Sequence, residues 1–153
     1  MTVYLAWANL ANPERASGIT EGGAGPRRHL PRIFGKGESD QRSLLRFLIE
    51  EREAGKRVVG YGAPAKANTL LNYCGVRTDL LEYTVDRSPH KQGHFLPGTH
   101  IPVYAPDRIR ETKPDYVLIL PWNLKDEVLE QMADVCGWGG KFVVPIPKVR
   151  VLD

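Results

Sequence analysis

The sequence predicts an α/β domain, a doubly wound and mostly parallel sheet with helices on both faces. Three observations predict it. From Ser39 onward, short apolar runs alternate with segments whose apolar residues recur at helical spacing, the order of a parallel sheet with right-handed crossovers. The run Tyr116-Val117-Leu118-Ile119-Leu120 is nearly all apolar, as a strand covered on both faces must be. A short apolar run, Val58-Val59, enters the glycines Gly60 and Gly62, as a buried strand does at a tight turn.

The elements follow in order. Leu44, Leu45, Leu48 and Ile49 form one apolar stripe, which predicts a helix over 40–54 with Ser39 or Asp40 at its start and Gly55 at its end. Arg57 to Gly62 is the first strand and its turn. Ala67, Leu70, Leu71 and Cys74 share a face of a helix over 66–74, stopped by Gly75. Leu80 to Val85 is a second strand ending at Asp86, and a polar loop runs from Arg87 to His100. Ile101 to Tyr104 is a third strand whose Pro102 predicts an edge position. Pro106 opens a short helix to about Thr112, and residues 115–120 are the fourth strand. Asn123 is expected to cap a helix whose stripe is Leu124, Val128, Met132 and Val135, with Asp126 and Glu127 at the positive end of its dipole. Lys141 to Ile146 is the last strand.

A chain of 153 residues holds one ordinary domain. Two textures divide it. Residues 1–38 are rich in Gly, Pro and Arg without a period and are expected to be irregular or poorly ordered; residues 39–153 carry the domain. A net charge of +3, scattered along the chain, does not argue for a nucleic-acid partner. No stretch reaches the roughly 20 apolar residues that span a bilayer, and Met1 to Ala11 lacks the basic start of a secretory signal. The expected compartment is the cytoplasm. The two cysteines, Cys74 and Cys136, form no CxxC pair and are expected as buried thiols.

Three segments carry candidate chemistry. In Gly60-Tyr61-Gly62-Ala63-Pro64-Ala65-Lys66 the glycines let the backbone approach a ligand. The helix behind them offers unpaired N–H groups to an anion, and Lys66 adds a mobile charge. Asp86 follows Gly60 by 26 residues, where dinucleotide-binding folds place an acid on a ribose hydroxyl. The third glycine of that fingerprint is replaced by Ala65, which counts against NAD, and Val58-Val59 stand where S-adenosylmethionine sites usually carry an acid. The second segment is the basic loop after Asp86, with Arg87, Lys91 and three of the four histidines, which suits a diphosphate. His90, His94 and His100 lack a completing carboxylate or thiol, so no metal site is expected. In the third, Leu120 to Lys125, Trp122 is a candidate to stack on a base or sugar. No nucleophile elbow, phosphate-loop lysine or paired-carboxylate pattern is present, and no catalytic residue is assigned.

The motifs Gly60–Lys66, Val85–Gly93, Phe95–Val103, Pro114–Glu127 and Trp138–Pro147 together resemble the C-terminal domain of the sugar C-methyltransferases, S-adenosylmethionine-dependent enzymes acting on dTDP-sugars. The resemblance covers about Leu44 to Val149. It implies a Rossmann-like domain that packs on a central S-adenosylmethionine-binding domain and helps to hold the nucleotide sugar. In that family the methyl-donor site and the catalytic Tyr and His lie in the central domain, and a zinc-binding domain precedes it. This chain matches neither part. The expectation is a nucleotide-sugar-binding module without methyl transfer of its own, a truncated product, a fragment, or a partner of a separate methyltransferase domain or subunit, that itself binds no cofactor. Its binding residues would be Gly60, Gly62, Ala63, Lys66, Asp86, Arg87, Lys91 and Trp122. The alternatives are an NAD(P)-type redox or regulatory domain and a ligand-free interaction remnant.

Overall fold

The computed structural model describes residues 36–153, so the irregular segment expected over 1–38 lies outside the described residues as far as residue 35. The first helix, α1 (Lys36–Glu53), already includes residues 36–38. Ser39 and Asp40 therefore stand inside the helix rather than at its start. A cap residue marks where a helix is able to begin, and it does not prevent intrahelical bonds from forming upstream. Gly55, at φ +76°, ends the helix as expected, with the Lys56 N–H closing on the Glu51 carbonyl at 2.9 Å.

Strand β1 (Val58–Tyr61) is followed by α2 (Ala65–Cys74), β2 (Thr84–Val85), β3 (Val103–Tyr104), α3 (Asp107–Thr112), β4 (Tyr116–Ile119), α4 (Lys125–Gln131), β5 (Lys141–Val144) and β6 (Arg150–Leu152). The sheet order is β3-β2-β1-β4-β5-β6. All neighbours are parallel except β5 and β6. The predicted edge position of the Pro102 strand is observed. Strand β6 was not foreseen: Arg150-Val151-Leu152 is too short for a periodic signal, and its pairing with β5 comes from tertiary contact.

The side chains of each central strand alternate between two cores, as the pleat requires. Val58, Leu118 and Val143 pack with Leu44 and Leu48 of α1 and Leu70 and Leu71 of α2. Val59, Val117, Ile119 and Phe142 pack with Ile109 of α3, Val128 of α4, and Met132 and Val135 beyond it. Helices thus cover both faces. The apolar stripe expected for α4 holds at Val128, Met132 and Val135 but not at Leu124, which is 49% exposed. Cys74 is half-buried and burial pushes its thiol up, whereas Cys136 is exposed, contrary to expectation. Cys136 lies in a 3-10 turn (Ala133–Trp138) that buries Val135 and packs Trp138 against the core.

One ion-pair node fastens the amino ends of three strands. The Arg57 guanidinium donates to both oxygens of Glu82, at 3.1 and 2.7 Å, and to the Thr112 carbonyl at 3.2 Å, while its backbone N–H donates to Asp115 Oδ2 at 2.9 Å. This bidentate geometry holds the Glu82 carboxyl below its usual range. A depressed carboxylate stabilises the fold above its unfolded pKa, and that contribution is lost as pH falls through the lower folded value. The stability gap between wild type and Glu82→Gln should therefore be widest near neutral pH and should narrow as pH falls below the ordinary carboxylate range. Urea unfolding at several pH values tests this, and a gap independent of pH would refute it.

Candidate binding cleft at the carboxyl ends of the strands

From β1 the chain crosses through α2 over one face of the sheet, and from β4 it crosses through α4 over the other. Two connections that leave in opposite directions open a crevice between the strands they follow, the topological switch point of a doubly wound sheet. A cleft of about 220 Å³ lies there. Gly62, Ala63 and Pro64 form one wall and Pro121, Leu124 and Val128 another. Asp86, Arg87 and Lys91 come from the loop after β2, and Glu127 and Gln131 from α4.

The turn after β1 is built for close packing. Gly62 has φ +90°, and a Cβ there would meet Pro121 Cδ at 2.6 Å. Its N–H donates to the Val85 carbonyl at 2.6 Å and its carbonyl accepts the buried Thr84 hydroxyl at 2.6 Å. Gly60 lies within β1, where a Cβ would meet Thr84 Oγ1 at 2.7 Å. Its requirement is packing against β2, and it does not line the cleft. No side chain caps α2, whose start at Pro64 borders the cleft.

Asp86 is the clamp between the two loops. Its Oδ2 accepts the Ala63 N–H at 2.8 Å and the Lys91 ammonium at 3.2 Å, and its Oδ1 accepts the Ser88 N–H at 2.8 Å. Lys91 also donates to the Ala63 carbonyl at 3.1 Å. Arg87 is held more loosely, 3.6 Å from Glu127, with 65% of its side chain exposed.

The structure brings Gly62, Ala63, Asp86, Arg87 and Lys91 into one cleft and places Lys66 and Trp122 beside it as a pair. The Lys66 ammonium lies 4.3 Å from the Trp122 ring centroid and donates to Asn123 Oδ1. Asn123 is therefore not the predicted cap: residues Trp122–Leu124 form a 3-10 turn and α4 starts at Lys125 without a side-chain cap. His90, His94 and His100 are each exposed, and among the described residues no group of three or more His, Cys, Asp or Glu is placed to hold a metal. Nor, among those residues, is any helix long and apolar enough to cross a membrane.

Two further cleft residues, Tyr61 and Gln131, are not among those the sequence singles out. The Tyr61 hydroxyl donates to Gln131 Oε1 at 2.9 Å, and the Gln131 amide donates to Glu127 Oε1 at 2.7 Å. Burial pushes the Tyr61 phenol up. Tyr61 sits between the two glycines of the turn, the one available signal; nothing in the sequence marks Gln131.

The fold and cleft define the class: a doubly wound α/β domain with its crevice between the first and fourth strands. Comparison with known proteins then gives the family. Residues 34–147 match the C-methyltransferase C-terminal domain, and the chain belongs to that family. It is 38% identical over 112 residues to the C-methyltransferase NovU of Streptomyces niveus, an alignment covering 73% of this chain and 26% of that protein. The chain thus matches about a quarter of the length of that relative. Among solved structures it is similar to UDP-D-quinovosamine 4-dehydrogenase from Vibrio fischeri, at 22% identity and a TM-score of 0.43, over 61% of this chain and 79% of the other.

Removing the clamp should cost more than removing the cation it holds. Asp86→Ala strands two backbone N–H groups and should destabilise the domain by about 1–3 kcal/mol. Lys91→Ala breaks a half-exposed pair and should cost less than about 1 kcal/mol. Chemical denaturation of both variants checks the order, and equal losses would show that Asp86 is not the clamp.

Proposed function

We propose that this chain is the nucleotide-sugar-binding module of an S-adenosylmethionine-dependent sugar C-methyltransferase, with no methyl transfer of its own. The observation that carries this reading is the switch-point cleft, which sets an apolar wall beside the basic loop after β2. Pro121, Leu124 and Val128 offer a surface for a nucleoside, and Arg87 and Lys91 offer charge for a diphosphate. Membership of the C-methyltransferase family supplies the reaction context.

The cleft residues do not fit S-adenosylmethionine. Val58 and Val59, which precede Gly60, are buried in the two cores, and both oxygens of Asp86 are already engaged by Ala63, Ser88 and Lys91. The methyl donor in this reading belongs to a separate domain or subunit, and the role of this chain is to bind and present the sugar nucleotide. The same engagement of Asp86, together with Ala65 in place of the third glycine, weighs against a ribose contact of the NAD type.

A ligand that binds only the folded state raises its melting point, by about 2.7 kcal/mol of stability at a hundredfold excess over Kd. A melting screen of this chain should give a shift with dTDP-glucose and dTDP and none with NAD, NADP or S-adenosylmethionine. Lys66→Ala should weaken that shift by removing the ammonium at the start of α2. A shift with NAD alone would replace this reading with the redox one, and no shift with any ligand would refute binding by the chain itself.

A further inference from the structure

The cations of the cleft are not equivalent. Lys91 is committed to the turn through Asp86 and the Ala63 carbonyl. Arg87 has only the 3.6 Å contact to Glu127, a distance beyond a hydrogen bond. Glu127 is the member of that pair with a further hydrogen bond, although 57% of its own side chain is exposed. Its Oε1 accepts the Gln131 amide at 2.7 Å, and Gln131 is in turn held by the buried Tyr61 hydroxyl at 2.9 Å. Arg87, on a loop and 65% exposed, has no hydrogen bond to hold it in that pair.

We propose that Glu127 is a specificity-determining residue of this cleft: it pairs with Arg87, yields it to an incoming diphosphate, and stays in place as a negative charge that disfavours ligands with a free terminal phosphate. The proposal rests on the nucleotide-sugar reading for its ligand but not for the exchange itself. Asp86, Arg87, Lys91 and Glu127 together carry balanced charge, so the lining itself adds no surplus for a more highly charged anion beyond the Lys66 ammonium beside it. A sugar esterified to the terminal phosphate removes the ionisation that a free phosphate makes with a pKa near 6. The esterified ligand therefore meets less repulsion from Glu127 at neutral pH. The preference is for a nucleoside diphosphate diester over the free nucleoside diphosphate.

Calorimetric titration of wild type, Glu127→Gln, Arg87→Ala and the double variant with dTDP-glucose, dTDP and inorganic pyrophosphate tests this. Glu127→Gln frees Arg87 and should tighten pyrophosphate and dTDP by about three- to fivefold, the scale of an exposed ion pair, and dTDP-glucose by less. Arg87→Ala should weaken all three by about tenfold, the scale of a charged hydrogen bond, and should abolish most of the gain from Glu127→Gln. Unchanged or weaker pyrophosphate binding in a folded Glu127→Gln variant would overturn the exchange. An equal gain for dTDP and dTDP-glucose would overturn the selectivity. Arg87-dependent pyrophosphate binding with no added affinity for dTDP-glucose would sink the nucleotide-sugar reading and leave the exchange standing. Failure of every variant to bind any of the three would sink both.

Discussion

Strands β1 and β4 lie side by side at the centre of the sheet, hydrogen-bonded on both edges and covered by helices on both faces. That double burial dictates much of the rest. Every side chain of the two strands must be apolar or satisfied, so Val58, Val59, Val117, Leu118 and Ile119 are all buried, and no ligand chemistry fits inside the sheet. The polar groups of the cleft therefore stand at the carboxyl ends of the strands and on the loops and helix that follow them. Because α2 and α4 cross on opposite faces, the loops after β1 and β4 diverge, and the cleft is the space they leave. The opposite, amino-terminal ends have a different task, met by Arg57: one guanidinium and one backbone N–H tie β1 to Glu82, Thr112 and Asp115.

The charged residues of the cleft differ in how firmly the protein itself engages them. Asp86 stands where an acid in this fold class contacts a ribose, yet its oxygens face backbone N–H groups and Lys91. Such a carboxylate fixes the distance between two loops and thereby the width of the cleft. Its role is to position Gly62, Ala63 and Lys91. Arg87, whose one contact is at 3.6 Å, has the weakest internal commitment of the cleft's charged groups. A glycine turn and a downstream acid thus look the same in sequence whether the acid meets the ligand or the loop.

The sheet and its two faces were legible because burial on both sides leaves unbroken apolar runs, as in residues 116–120, and because helical stripes such as Ala67, Leu70 and Leu71 have no other use. Glycines at 55 and 75 marked helix ends through their left-handed backbone. Strand lengths were less legible. Leu80 to Tyr83 read as part of the second strand, but only Thr84 and Val85 pair in register; Glu82 and Tyr83 reach β1 through single backbone bonds to Val58 and Gly60, and Leu81 is buried without one to that strand. In the site, five of the eight expected residues gather at the cleft, whereas the Tyr61–Gln131–Glu127 relay was invisible. It joins residues 70 positions apart, and an amide on a helix surface carries no periodic or compositional mark.

Three of the local rules that failed in the second half of the chain fall at one place. Asn123 was expected to cap α4 and instead accepts a bond from Lys66. Leu124 was expected in the core and instead lines the cleft, half exposed. Trp122, left open between core and site, lies half-buried beneath the Lys66 ammonium. All three belong to the 3-10 turn that delays α4 by one turn after β4. A helix started at Asn123 would have carried Leu124 with Val128 onto the core face, as the period demands; the interposed turn swings it outward. Sequences tend to break their own local preferences where function competes with folding. Here the breaks fall at the exit of β4, the wall of the switch-point cleft, and they supply both its apolar surface and its link to the start of α2.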